Sequence, residues 1–128
     1  MSEPFIFVVT NTINEGELDR VKELSNHFTE FVEAGDTGVL GFHFYLNEDG
    51  TELSNVQVHR DAASMDAYLP MVQQLIQQAL ELTTTTSIEV YGTPGPAVQQ
   101  VLRMNAEQGV RVRIKPDRIS GLVRSASV

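Results

Sequence analysis

The 128-residue chain contains no cysteine. That absence removes disulfide staples, thiol nucleophiles and thiolate zinc sites together, and it suits a reducing compartment. No apolar run approaches the ~20 residues a bilayer-spanning helix needs. The N-terminus shows no basic segment leading into an apolar one, so the expectation is a cytoplasmic protein that does not engage the membrane. Positive charge is scarce: 9 Lys and Arg against 17 Asp and Glu leave a net charge of −8. A phosphate-binding surface needs dense cationic charge, which argues against nucleic acid as the main partner. Nor is there a Gly-x-Ser-x-Gly elbow or a Gly-rich phosphate loop, and the three histidines are scattered without metal-ligand spacing. A hydrolytic triad, a nucleotide site and a metal site are therefore not expected.

What remains is the pattern of one folded domain, for which this length suffices to bury a core without staples. Phe5 to Thr12 is apolar on both parities, Phe5, Phe7 and Val9 on one and Ile6 and Val8 on the other, the mark of a central strand. Asn14 and Glu17 have the spacing of a helix capping box. Leu18, Val21, Leu24, Phe28, Phe31 and Val32 then recur every three or four positions up to Gly35, forming one stripe of a helix. Val39–Leu46 and Thr51–Arg60 read as strands, and the short turn Asn47-Glu48-Asp49-Gly50 between them forces an antiparallel hairpin. Asp61 caps a second helix that Pro70 should kink or break. Its inward residues include Met65, Leu69, Val72, Leu75, Ile76, Ala79 and Leu80. The Thr83–Thr86 run ends it, and Ser87–Tyr91 follows as a strand. Pro96 opens a third helix that stops at Gly109, Val110–Ile114 reads as a half-exposed edge strand, and Ile119, Leu122 and Val123 are expected to anchor a tail.

Strand, helix, strand, strand, helix, strand is the ferredoxin-like order, an α+β fold with helices on one face of an antiparallel sheet. The other face then needs a cover. With Phe and Val on both strand faces, a second copy of the chain is the expected cover, and hence a homodimer. Charge divides along the chain as well. Residues 1–96 hold 15 acids and 3 bases, whereas residues 97–128 hold 2 acids and 6 bases. The basic end is expected to pack on the acidic body or on a partner's copy.

The hairpin carries the candidate chemistry. Any even-length turn puts Phe42, Phe44, Asn55, Gln57 and His59 on one side, with His43, Tyr45, Ser54, Val56 and Val58 on the other. Asn55, Gln57 and His59 opposite aromatic neighbours could form a pocket wall that orients a small molecule. A half-exposed strand shows the same alternation, so both readings stand. His43 and His59 are candidate general bases, having an imidazole's near-neutral pKa. Tyr68, just before the break at Pro70, can point its hydroxyl into whatever space the broken helix leaves, although a boundary tyrosine is more often structural.

The stretch Val56-Gln57-Val58-His59-Arg60-Asp61-Ala62-Ala63-Ser64-Met65-Asp66-Ala67-Tyr68-Leu69 resembles the strand-to-helix junction of antibiotic biosynthesis monooxygenase-like domains of the dimeric α+β barrel group. The opening Phe5–Asn14 strand, the Glu15-Gly16 helix entry and the Val90-Tyr91-Gly92 close are similar too. The likeness covers residues 4–92. It implies a ferredoxin-fold domain over 1–92 with an added C-terminal extension over 93–128, a barrel-forming dimer, and a pocket between sheet and helices. The function it implies is cofactor-independent oxygenation of a small aromatic or quinone-type molecule; the alternative is a non-catalytic binding domain of the same fold. Tyr68 matches a helix position where active members carry Trp or His, and Asn11 lies near their catalytic Asn. Gln78 stands where haem-degrading members place a ligand His, so no haem or other cofactor is expected.

Overall fold

The computed structural model describes residues 3–35 and 38–124. In chain order the elements are β1 (Phe5–Ile13), α1 (Leu18–Ala34), β2 (Val39–Leu46), β3 (Glu52–His59), α2 (Ala62–Met71), α3 (Gln73–Leu82), β4 (Thr83–Tyr91), α4 (Pro96–Glu107) and β5 (Arg111–Lys115). They build an α+β fold on one mixed sheet in the order β2-β3-β1-β4-β5. The first four strands are antiparallel, as the β-α-β-β-α-β plan requires. β5 lies parallel to β4, a pairing made possible by the α4 crossover.

Register follows from the hairpin. Phe42 lies opposite Gln57, and Phe44 opposite Asn55. The alternation expected from sequence therefore holds: Leu53, Asn55, Gln57 and His59 are buried under the helices while Ser54, Val56 and Val58 face the other way. Gly50 closes the turn at a φ of 72°, a conformation that side chains with a Cβ adopt rarely. On β1 the buried parity starts with Phe5 and Phe7. A bulge between Thr10 and Asn11 inserts an extra residue in β4, so Asn11 pairs with Thr85 rather than Thr86. Such a bulge re-aims the side chains beside it.

One helix signal resolves differently from the sequence reading. α1 begins at Leu18 with Glu17 as its cap residue, and no side chain bonds to the cap. Asn14 instead donates its amide to the Glu81 carbonyl and accepts from Thr84. The capping box is lost because tertiary partners at the α3–β4 junction compete for the same side chain. Asp61 does cap α2, its carboxylate accepting from the Ser64 amide at 2.9 Å. The helix then divides at Val72, one residue beyond Met71. Pro70 has no N–H to donate, and the Val72 amide reaches only the Leu69 carbonyl, at 3.3 Å.

The strand expected over Ser87–Tyr91 starts four residues earlier, at Thr83. The β-branched run that ends α3 is itself sheet, since such side chains fit a pleated surface better than a helix. α4 docks on α2 through an unusual cap: the Asp66 carboxylate, one helix away, accepts from the Val98 amide at 3.1 Å. An orphan donor of the α4 first turn is thereby satisfied by a neighbouring helix. Any Cβ at Gly95 would collide with that carboxylate, so only glycine permits the approach.

The core lies between sheet and helices, with Phe5, Phe7, Phe28, Met65, Ile88 and Val98 among its buried members. The opposite sheet face carries Ile6, Val8, Val56 and Val58 half-buried beside exposed His43 and Tyr45. One correction concerns the tail. Ile119 is 97% exposed, and Leu122 and Val123 are exposed too, so within the protomer they anchor nothing. Residues 116–124 form no helix or strand to bring their side chains onto the body. Residues 125–128 of that expected tail lie outside the described residues.

Candidate functional site

A cavity of about 410 Å³ opens between the sheet and α1, α2, α3 and α4, within the size range of small-molecule sites. Its floor is β1 and β3, contributing Phe7, Val9, Asn11, Leu53, Asn55 and Gln57; Phe44 closes one side, and Tyr68 descends from α2. α1 contributes Leu24 and Phe28, and α3 forms the mouth with Gln73, Ile76, Gln77 and Leu80. Among the described lining residues the one titratable side chain is that of Tyr68. In a chain of net charge −8, the cavity wall carries no formal charge.

The polar groups of the floor form a directed chain, and its direction can be derived. The Asn55 amide nitrogen reaches the backbone carbonyl of His43 at 3.0 Å. A carbonyl only accepts, so Asn55 must turn its Nδ2 outward and its Oδ1 inward. That Oδ1 accepts from Gln57 Nε2 at 2.6 Å. Gln57 therefore presents Oε1 to His59 Nε2, at 2.9 Å, and the imidazole must donate there. Its Nδ1 is left to accept from the Ser64 hydroxyl at 3.0 Å.

His59 is fully buried, and burial lowers its pKa to about 4 against the opposing attraction of Asp61. It is uncharged at neutral pH, and both ring nitrogens are engaged. Tyr68 stands over this chain. Its ring meets His59 edge-on at 5.5 Å between centroids, and its hydroxyl lies 3.5 Å from Gln57 Nε2. Burial raises its pKa well above the ordinary phenol value, so the hydroxyl keeps its proton and can donate it.

The structure thus brings Tyr68, Asn11, Asn55, Gln57 and Phe44 together around one cavity. Phe42 sits behind them, packing on Phe28, Phe44 and Tyr68. His59 lies beneath the wall rather than in it. His43 is not brought to the cavity at all: it is exposed on the opposite sheet face, where strand alternation puts it once Phe42 and Phe44 face inward. At Asn11 the atom buried without a partner is Oδ1. A carbonyl oxygen only accepts, so this atom cannot hold an oxyanion.

Sequence reasoning missed the helical half of the site. Leu24, Ile76 and Leu80 read there as ordinary core stripe, and Gln73 and Gln77 were not singled out. The i, i+4 spacing of those two glutamines on one side of an apolar stripe was the available signal.

No family model matches the chain, and no curated protein sequence matches it. Solved structures do. MupZ from Pseudomonas fluorescens superposes with a TM-score of 0.75 over 99% of both chains at 20% sequence identity. SnoaB from Streptomyces nogalater, a cofactor-independent oxygenase crystallised as the N63A mutant, gives a TM-score of 0.63 at 13% identity, covering 73% of this chain and 96% of its own. A Deinococcus radiodurans protein, provisionally named an antibiotic biosynthesis monooxygenase, gives 0.59 at 18% identity, covering 71% and 93%. The fold is therefore that of the antibiotic biosynthesis monooxygenase-like proteins. With MupZ the likeness includes α4 and β5.

Proposed function

We propose that this protein takes a small, largely apolar aromatic or quinone-type molecule into the cavity beside Tyr68 and oxygenates it without a cofactor. The observation that carries the reading is a buried, protonated Tyr68 hydroxyl aimed at an aromatic-walled space that holds no formal charge. The fold shared with SnoaB points the same way. A substrate with an acidic CH₂ next to a phenol or carbonyl ionises to a delocalised anion, whose oxygen the Tyr68 hydroxyl holds. The anion passes an electron to O₂, and recombination of the two radicals forms a carbon–oxygen bond. The peroxide anion takes up the proton that ionisation released to water, and the O–O bond of the resulting hydroperoxide then breaks with loss of water. One oxygen atom stays on the substrate as a ketone and the other leaves as water. Ionisation rests on the substrate's own acidity, because His59 is tied at both nitrogens and His43 is across the sheet.

Oxygen uptake against a panel of hydroquinones and anthrones tests this. Turnover that falls at least tenfold in Tyr68→Phe supports it. One observation favours a second reading, a non-catalytic binding domain: no His, Asp, Glu, Lys or Arg lines the cavity among the described residues. Tight binding of the panel with no oxygen consumed would decide for that reading. In both cases the assembly is a cytoplasmic homodimer joined through the Ile6, Val8, Val56 and Val58 face, with residues 93–128 as an extension of the 1–92 domain. Sedimentation at the 14.2 kDa protomer mass at micromolar concentration would contradict the dimer.

A further inference from the structure

The cavity is longer than a small ring system needs, and its two ends differ. At the Tyr68 end it is closed, because Phe7, Phe28, Gln57, Met65 and Tyr68 are all buried. Gln57 pairs with Phe7, and Thr85 pairs with Asn11 four residues further along β1. At ~3.3 Å per residue the floor is roughly 13 Å long, about twice the length of two fused rings. Toward the Thr85 end the cavity opens. Leu80 stands three residues before Thr83, which pairs with Ile13. β5 begins opposite Ser87 shortly after α4 ends, which brings the last turns of α4, with Met104, to the same end.

The opening is a slot between two helices. α3 leans on α1 and β4, whereas α4 leans on α2 and β5. Each presents one edge to the cavity: Gln73, Gln77 and Leu80 from α3, and Val101, Met104 and Asn105 from α4. Spacings of three and four residues put each trio on one side of its helix. Leu80 is 57% exposed and Met104 52%. Exposed apolar side chains scattered singly need no explanation, but these two also line the cavity, so an occupant of the cavity can touch them.

The chemistry of that occupant is constrained. Two half-exposed side chains offer on the order of 200 Å², whereas a stable protein interface takes ~800 Å² from each partner. An ionised group finds no counter-charge, since no Lys, Arg, His, Asp or Glu lines the cavity among the described residues. A hydrocarbon chain meets both conditions. It is thin enough for a slot, gains by covering Leu80 and Met104, and asks for no hydrogen bond.

We infer that the bound molecule carries an uncharged hydrocarbon chain on its ring, and that this chain leaves the cavity through the α3–α4 slot over Leu80 and Met104. These two side chains set the preference for chain length, and α4 is thereby part of the binding site. The inference rests on the cavity being the binding site, as proposed above.

The chain has no tryptophan, so the emission of a naphthol probe can be followed without interference. The full chain is titrated with 6-methoxy-, 6-butoxy- and 6-hexyloxy-2-naphthol. Full burial is worth about fourfold in affinity per methylene, and contact on one side about twofold. The hexyl ether should therefore bind at least about tenfold more tightly than the methyl ether, with the butyl ether between them. In the double variant Leu80→Ser/Met104→Ser that ratio should fall below about threefold. Met104→Glu alone, which puts a charge in the path of the chain, should lower it as well. Ile119→Ser removes an exposed apolar side chain outside the lining and should leave the ratio unchanged, which separates the slot from general adhesion to apolar surface. Thermal melts confirm that each variant is folded.

Equal affinities for the three ethers, or a ratio that survives the double variant, would overturn the inference while leaving ring binding in place. If the double variant halves the sedimenting mass, Leu80 and Met104 meet a second copy of the chain, and the inference is overturned on that ground. If no ether binds, the proposed site fails and the inference falls with it.

Discussion

α2 and α3 are the two halves of one interrupted helix, ten residues each, yet they do opposite work. α2 buries Ser64, Met65 and Tyr68, is capped by Asp61, and lends Asp66 to the start of α4. α3 buries nothing completely; its apolar stripe borders open space, and Leu80 is 57% exposed. The difference lies in what each face meets. α2 presses mostly on filled core and reaches the cavity with Tyr68, while α3 touches the core only in part and roofs the cavity. Amphipathicity, the property both share, says that a face is apolar and leaves open whether that face is filled against. A rigid half that positions Tyr68 beside a loosely packed half that gives access is what a pocket of this kind requires.

That contrast can be broken from either side. The largest effect belongs to Met65→Ala in α2. Truncating a side chain that is 1% exposed should cost about 2–5 kcal/mol in denaturant unfolding. A loss below about 1 kcal/mol would mean that α2 is no better packed than α3. Next comes acid sensitivity through His59. Its pKa is near 4 when folded against 6.5 for the free side chain, so the unfolded chain takes the proton first. Stability is whole above pH 6.5 and declines as pH falls toward 4, by about 3 kcal/mol at most. His59→Leu should flatten that part of the profile relative to the unmodified protein, and an unchanged slope would refute the assignment.

Gly95→Ala should cost about 1–3 kcal/mol by forcing a methyl against the Asp66 carboxylate. The loss should shrink in an Asp66→Ala background, since the clash and the cap share one partner. The smallest effect is expected in α3, where Gln77→Ala should change stability by less than about 0.5 kcal/mol. If it destabilises as much as Gly95→Ala, α3 is structural rather than a roof.

The hairpin shows why some of the site was legible in the residues. Strand alternation is set by backbone geometry, so a short turn was enough to put Asn55, Gln57 and His59 on the same face as Phe42 and Phe44. The same rule separated His43 from them, although sequence could not say which face held the cavity. The α1 start was misread because Asn14 has two competing sets of partners, one local and one reached only when β4 closes on β1. Asn11 could be named from likeness alone; its place in the lining follows a bulge across to Thr85, which no local pattern announces. The wall supplied by α3 and α4 was invisible for the same reason, its residues being ordinary apolar stripe until packing left them unfilled.

By itself the sequence determined the order of elements, the faces of each strand, the break near Pro70 and the lack of charge-driven or thiol chemistry. These follow from local sterics, from periodicity and from which atoms are present. Tertiary structure alone decided that the second helix's C-terminal half packs on the core only in part and borders a cavity, that His59 is neutral and bound at both nitrogens, and that Tyr68 and Asn11 line one space. Those are properties of distances between residues far apart in the chain, and such distances exist only once the chain has closed.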